Sequence, residues 1–153
     1  MSEQEVTPVV KYPGRAEAVE TVELRARVEG FLEQRNFCEG ADVAKGDVLF
    51  VIEQEPYKIV VEQRRPELAA AEAKEKNAQA DFKRKKALVK RNDVSQVSLD
   101  VSEAELATAK ADVPHAQAAL RSANLDLNYT EIRNPINGRI SLATYSVGNL
   151  VNT

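Results

Sequence analysis

Two hydrophobic periodicities share this chain, and the places where one gives way to the other mark its organisation. Near the start, apolar residues alternate with polar ones at Val22, Leu24, Ala26 and Val28, a period of two that predicts a strand over Ala18 to Val28 with one buried face. Val6 to Tyr12 reads as an earlier strand, closed by a Pro13-Gly14 turn. Gly30 interrupts the alternation, and Phe31 to Phe37 predicts the next strand. Glu39-Gly40-Ala41-Asp42 and Lys45-Gly46-Asp47 have turn composition, and Val48 to Ile52 is a short apolar run suited to a buried strand.

Further along, the period becomes seven. Leu99, Leu106, Val113, Leu120 and Leu127 recur at heptad spacing, with Ala109, Ala116 and Ala123 three residues after Leu106, Val113 and Leu120. This is a Leu/Ala coiled-coil seam. The preceding segment offers a partner seam at Val61, Leu68, Phe82 and Val89, helped by Ala71 and Ala78, with Glu75 where a fifth apolar residue is due. Between the seams Lys90-Arg91-Asn92-Asp93-Val94-Ser95-Gln96 breaks the pattern, and Ser95 is placed to cap the second helix. Two antiparallel helices joined near residue 93 are predicted, each reaching about 45–50 Å at 1.5 Å per residue. Pro66 and Pro114 fall inside these helices, where each removes a backbone donor and kinks or interrupts its helix at about 3 kcal/mol. Pro66 is equally compatible with a helix restart, leaving Tyr57 to Gln63 as a separate short turn or strand.

The flanking β-like segments are related to each other. Val28-x-Gly30-x-Leu32, Phe37, Gly40 and Val43 reappear 108 residues later as Ile136-x-Gly138-x-Ile140, Tyr145, Gly148 and Val151. Asn134-Pro135 and Asn137-Gly138 supply turns in the second copy, and Gly148-Asn149 is the counterpart of Gly40-Ala41. Neither half is long enough to bury a core alone, so the two must fold against each other and force the helical insert out and back.

Composition narrows the function. The chain has 153 residues, 43% hydrophobic and 29% charged, but only 5% aromatic and without tryptophan, which argues against a large aromatic-lined catalytic pocket. A net charge of -3 makes nucleic acid a poor principal partner. One cysteine, Cys38, excludes an internal disulfide, and with the single His115 it is too little for a zinc site. Met1 is the only methionine, which excludes a methionine-rich copper or silver site. No apolar run approaches the ~20 residues needed to span a bilayer. Met1-Ser2-Glu3-Gln4-Glu5 is not a secretory signal, so any export signal or membrane anchor lies outside the given chain. No nucleophile with a paired base, phosphate loop or metal cluster stands out, so neither enzymatic activity nor a cofactor is expected.

Val28-Glu29-Gly30-Phe31-Leu32, the run Glu39 to Ile52, and Tyr129 to Ile140 resemble the split lipoyl domain of periplasmic adaptors, the membrane fusion proteins of tripartite efflux pumps of the resistance-nodulation-division type. The likeness covers about residues 8–153, and it reproduces the order of half-domain, hairpin and half-domain. It implies an α+β fold, a split β-sandwich of lipoyl/biotinyl type with a long antiparallel coiled-coil hairpin inserted. The expected division is residues 1–21 as N-terminal strands, 22–55 as the first half-domain, 56–128 as the hairpin with its tip near 90–96, and 129–153 as the second half-domain. Adaptors of this family continue into a β-barrel and a membrane-proximal domain, so a truncated piece is expected, its first strands a remnant that joined the missing parts.

The family's hairpin tip carries Arg, Leu four residues on, and Ser seven further, and Arg84, Leu88 and Ser95 stand at that spacing. The resemblance implies that these residues dock on an outer-membrane efflux channel: Arg84 as a forked donor, Leu88 as an apolar knob, Ser95 as a hydroxyl across the interface. A purely structural reading gives Arg84 a solvated face, Leu88 the end of the coiled coil and Ser95 a cap. Lys83, Lys85, Lys86, Lys90 and Arg91 join Arg84 in a basic cluster that would steer the tip toward an acidic channel mouth, or be no more than a solvated face. The implied partners are that channel, an inner-membrane transporter reached through the missing parts, and further copies of the chain in a ring. The implied location is the periplasm, at the inner membrane, and the implied role is export of drugs or other small molecules. An adaptor of an ATP-driven exporter or type I secretion system shares this plan. A lipoyl or biotinyl carrier is disfavoured, because the helical insert occupies the turn where a carrier displays its lysine.

Overall fold

The computed structural model of the protein describes residues 13–91 and 93–152, so the strand expected over Val6 to Tyr12 lies outside the described residues. Six strands and two helices follow in order: β1 (Gly30–Arg35), β2 (Asp42–Val43), β3 (Val48–Ile52), α1 (Glu55–Val89), α2 (Gln96–Tyr129), β4 (Glu131–Arg133), β5 (Gly138–Arg139) and β6 (Leu150–Val151). They form a four-stranded sheet in the order β4-β3-β1-β6 and a two-stranded one of β2 and β5. The architecture is the split β-domain with an inserted helical hairpin.

The repeat is paired across rather than within its halves. Gly30 of the first copy lies opposite Val151 of the second, and Gly138 of the second lies opposite Val43 of the first. The same reciprocity governs single hydrogen bonds. Leu32 N–H donates to Asn149 O at 2.9 Å as Ile140 N–H donates to Ala41 O at 3.0 Å, and Gly148 N–H donates to Leu32 O at 2.8 Å as Gly40 N–H donates to Ile140 O at 3.0 Å. Each glycine turn has a matching internal bond, Ala41 N–H to Cys38 O at 3.1 Å and Asn149 N–H to Ser146 O at 3.0 Å. Gly40 and Gly148 both take positive φ, +79° and +90°, which only glycine adopts without strain. A pseudo-two-fold axis therefore relates the halves. Their shared core is small: Val28, Leu32, Ile52 and Val151 are buried, flanked by Phe50, Tyr57, Tyr129 and Ile132.

The alternation at Leu24, Ala26 and Val28 is matched by burial, half-buried at the first two and buried at Val28, yet residues 13–29 form no strand. Val19 and Val22 are exposed. Among the described residues no free ladder stands beside it: β1, into which this segment runs, is already paired on one side with β3 and on the other with β6. Period two reported which side packs inward, and hydrogen-bond partners were a separate requirement.

The hairpin leaves from the β4–β3 side of the sheet, where β4 is the edge strand. β3 and β4 pair antiparallel, Phe50 opposite Ile132 and Val51 opposite Glu131, and each runs directly into or out of a helix. Ile52 N–H donates to Thr130 O at 2.8 Å, and Gln54 Nε2 donates to Glu131 Oε1 at 3.4 Å, which clamps the neck. Tyr57 adds a hydroxyl bond of 2.7 Å to Glu29 O. Burial, then the Glu29 and Asp126 carboxylates, hold its phenol above the usual tyrosine range. Pro56 in the first turn of α1 gives up a donor that has no intrahelical acceptor there.

Both helices are continuous through their prolines, 35 residues in α1 and 34 in α2, so no helix restart occurs at Pro66 and Tyr57 to Gln63 is helical. Pro66, Pro114 and the residues four before them, Glu62 and Lys110, are all exposed. The carbonyls left without an intrahelical donor thus belong to exposed residues, where the lost bond is least costly. Along the seam Leu106, Ala109 and Ala123 are buried, and Leu99, Val113, Ala116, Leu120 and Leu127 are half-buried. Ser102 extends the alanine positions toward the tip, 1% exposed, its hydroxyl donating to Leu99 O at 2.8 Å. A Lys74 Nζ–Asp112 Oδ2 pair at 2.6 Å bridges the two helices midway along the rod.

Candidate functional site

At the far end of the rod, about 50 Å from the sheet at 1.5 Å per residue, the chain must end one helix and begin another. Leu88 O performs the first task, accepting from the N–H groups of Lys90, Arg91 (3.0 Å) and Asp93 (3.2 Å). Ser95 performs the second: extended at φ -72°, ψ 151°, it accepts the Ser98 N–H on Oγ at 3.3 Å. Gln96 reinforces this start with a 2.9 Å bond to Asp100 Oδ1.

Arg84 is exposed, Leu88 is half-buried and Ser95 is exposed. Arg84 and Leu88 lie one turn apart on one face of α1, while Ser95 lies across the connection at the head of α2. The structural and docking readings of Leu88 and Ser95 are not exclusive. Leu88, next to the seam residue Val89, is only half-buried and so keeps part of its side chain open, and the Ser95 hydroxyl, as the α2 cap, retains its own proton and a second lone pair.

The basic residues divide by face. Lys83, Lys86, Lys90 and Arg91 line a shallow groove with Ala87 along α1, and all four are exposed. Lys86 Nζ sits 5.5 Å from the centre of the Phe82 ring, a cation–π contact that leaves the ammonium in water. Lys85 differs from the rest. It lies on the seam side, half-buried, and its ammonium pairs with Asp81 one turn earlier at 2.8 Å. An acid two residues before the run was the available signal, since i,i+4 pairs neutralise locally.

No helix among the described residues is long and apolar enough to cross a membrane. The turn at Lys45-Gly46-Asp47 is enclosed by the second half: Lys45 N–H donates to Asn137 Oδ1 at 2.7 Å, Gly46 N–H to Asn134 O at 2.7 Å, and Arg133 Nη1 to Gly46 O at 3.0 Å. Asn134, 8% exposed, closes the clasp through Nδ2 bonds to Ala44 O at 3.2 Å and Ile136 O at 2.5 Å. These contacts make the β-domain a rigid base for the rod.

A family model described as the barrel-sandwich hybrid domain of RND MFP proteins matches residues 20–153. The chain is 40% identical over 151 residues to the efflux pump periplasmic linker BepF of Brucella suis, covering 99% of this chain and 37% of that protein. It is 34% identical over 150 residues to the multidrug resistance protein MdtA of Proteus mirabilis, covering 98% of this chain and 36% of that protein. The chain thus spans little more than a third of the length of these relatives. Among solved structures it is similar to a MacA-MexA chimeric protein containing the Pseudomonas aeruginosa MexA α-hairpin domain, at 29% identity and a TM-score of 0.64, covering 90% of this chain and 45% of that one. It also shares its fold with ZneB from Cupriavidus metallidurans, at 22% identity and a TM-score of 0.60, covering 86% of this chain and 56% of that one.

Proposed function

The chain belongs to the membrane fusion protein family of resistance-nodulation-division pumps, and from that premise we propose that it is the rod-and-clasp part of a periplasmic adaptor for drug or small-molecule export. The observation that carries the reading is the tip: an exposed Arg84 and a part-exposed Leu88 on one face, at the end of a two-helix rod whose base is locked into a sheet. A rigid base transmits position to a distant contact, which is what bridging two membranes requires. The tip docks on an outer-membrane channel. Portions of the adaptor beyond this chain reach the inner-membrane transporter, and several copies surround one channel as a ring in the periplasm.

Within the tip, Arg84 offers its fork to carbonyls or carboxylates of the channel, and the open part of Leu88 fills an apolar recess. The exposed lysines and Arg91 raise the encounter rate with an acidic channel mouth. The test is binding of the chain to purified outer-membrane channel, with Arg84→Asp, Leu88→Ser and Ser95→Ala variants compared by surface plasmon resonance and helicity followed by circular dichroism. Arg84→Asp and Leu88→Ser are expected to lose docking at unchanged helicity. Ser95→Ala is expected to lose about 1 kcal/mol of stability through its cap. Docking by Arg84→Asp and Leu88→Ser at wild-type strength would refute the tip assignment, and a docking rate indifferent to salt would remove the steering role.

A further inference from the structure

The 108-residue offset that relates the halves leaves one strand without a counterpart. β1 is flanked by β6 and β3, and beyond β3 stands β4. Under the offset β1 corresponds to the segment that opens with β5, β2 corresponds to β6, and Ile132 of β4 corresponds back to Leu24. β5 has β2 on one side, as β1 has β6, but among the described residues it has no strand on the other. The absent member is the counterpart of β3 (Val48–Ile52), which the offset places at positions 156–160, just beyond Thr153.

Both flanks of this gap carry the marks of an open ladder. In the first half Asn36 N–H donates to Leu49 O at 2.9 Å, and Asn134 N–H donates to Asp47 O at 2.9 Å. The counterparts of these donors, the Thr144 and Ala26 N–H groups, make no backbone bond among the described residues. Apolar side chains are left over in the same place. Ile140 is half-buried where its counterpart Leu32 is 2% exposed, and Tyr145 is 48% exposed where its counterpart Phe37 is half-buried. The Phe37 ring stands edge-on to Phe50 of β3 at 5.0 Å, a contact for which Tyr145 has no equivalent among the described residues. Ile52 of β3, 0% exposed, packs with Leu32 and Ile132, whereas their counterparts Ile140 and Leu24 have no such residue between them.

We propose that the gap between Leu24 and Ile140 is a binding site for one extended strand, antiparallel to both flanks, and that its occupant is a segment joined directly after Thr153. The repeat fixes the tether. Ala44 to Asp47 connect β2 to β3, so the equivalent connection from β6 runs from Asn152 to position 155, short enough to hold the strand beside its site at little entropic cost. The repeat also fixes the chemistry. Position 160, the counterpart of Ile52, takes a branched aliphatic side chain that closes over Ile140 and Leu24. Position 158, the counterpart of Phe50, takes a broad apolar one against the Tyr145 ring. Position 154 takes glycine, because its counterpart Gly46 has φ +96°. Main-chain bonds to both flanks give the strand its affinity, and its alternating side chains give it register. The inference rests on the repeat within this chain and is independent of the docking assigned to the tip.

The test supplies the strand from the chain's own repeat. A copy of Gly46 to Ile52 is joined directly after Thr153, so that it falls at positions 154–160. A second variant carries one extra glycine before the copy, which turns every side chain to the opposite face. Amide hydrogen exchange is followed by NMR at Ala26 and Thr144, and the thermal midpoint by circular dichroism. The in-register copy is expected to slow exchange at both amides by about tenfold or more and to raise the midpoint by about 5 °C or more. The shifted copy is expected to do neither. The same seven residues added as a free peptide are expected to protect the same two amides of the unextended chain, which keeps the test independent of how the fused chain folds. Equal effects of the two fusions would overturn the proposal, as would exchange at Ala26 and Thr144 unchanged by both fusion and peptide. Protection by the fusion that appears only on dimerisation would mean a strand taken from another copy, and would overturn the assigned occupant. No channel is present, so failure here leaves tip docking standing.

Discussion

Gly30 and Gly138 occupy the same position of the repeat, but their substitutions are expected to differ sharply. A Cβ on Gly30 would lie 2.7 Å from Ile52 Cγ2, and Gly30 has φ +156°, outside the range that side-chain-bearing residues favour. Ile52 cannot yield, being 0% exposed in the shared core with its N–H bonded to Thr130 O at 2.8 Å. Around Gly138 no atom lies within 4 Å of the same construction. Overpacking a core position costs about 1–3 kcal/mol, and local backbone strain adds about 1 kcal/mol. Gly30→Ala is therefore expected to lose about 2–4 kcal/mol, a fall in Tm of about 5–15 °C at the 2–4 °C per kcal/mol typical of a chain this long. Gly138→Ala is expected to stay within about 0.5 kcal/mol of wild type, since alanine in a strand also reduces the entropy of the unfolded chain. Differential scanning calorimetry with urea titration by circular dichroism measures both. Equal losses in the two variants, or a Gly30→Ala protein melting with wild type, would refute the argument from the Ile52 contact.

Pro114→Ala restores an amide donor to the Lys110 carbonyl on the exposed face of α2, so it is expected to raise the thermal midpoint at 222 nm, by up to about 3 kcal/mol of stability; a lower midpoint would show that the proline supports the rod. In the clasp, Arg139 donates to Asp42 through Nε at 2.9 Å and Nη2 at 3.2 Å, and these bonds, then its charge, hold the Asp42 carboxyl below the usual carboxylate range. A folded-state pKa lowered in this way contributes stability above the unfolded value of about 4, lost as pH falls through the folded value. Asp42→Asn is thus expected to flatten the decline of the urea midpoint below about pH 4, and an unchanged slope would mean that the exposed pair is fully screened.

Much of the candidate site was legible because its signals are local. The tip falls where the heptads stop, and Ser95 caps α2 as its residue type and position suggest. Lys85 was less legible, since its apparent place in the basic run conceals a seam position paired to Asp81. Ser102 breaks the apolar pattern and is buried even so, because its hydroxyl bonds back to Leu99 O.

The chain's order of residues determined by itself that two related half-units flank a heptad hairpin, because periodicity, turn glycines and caps are properties of neighbours a few positions apart. The tertiary structure decided the rest. It showed that each half completes the other's ladder, that Leu24 to Val28 alternates in burial without a strand partner, and that Gly30 is caged while its repeat mate Gly138 is open. Those outcomes depend on which distant backbone supplies the next hydrogen bond and what lies opposite a side chain. A repeat makes two positions alike along the chain, but the asymmetric contents of the core make them different in space.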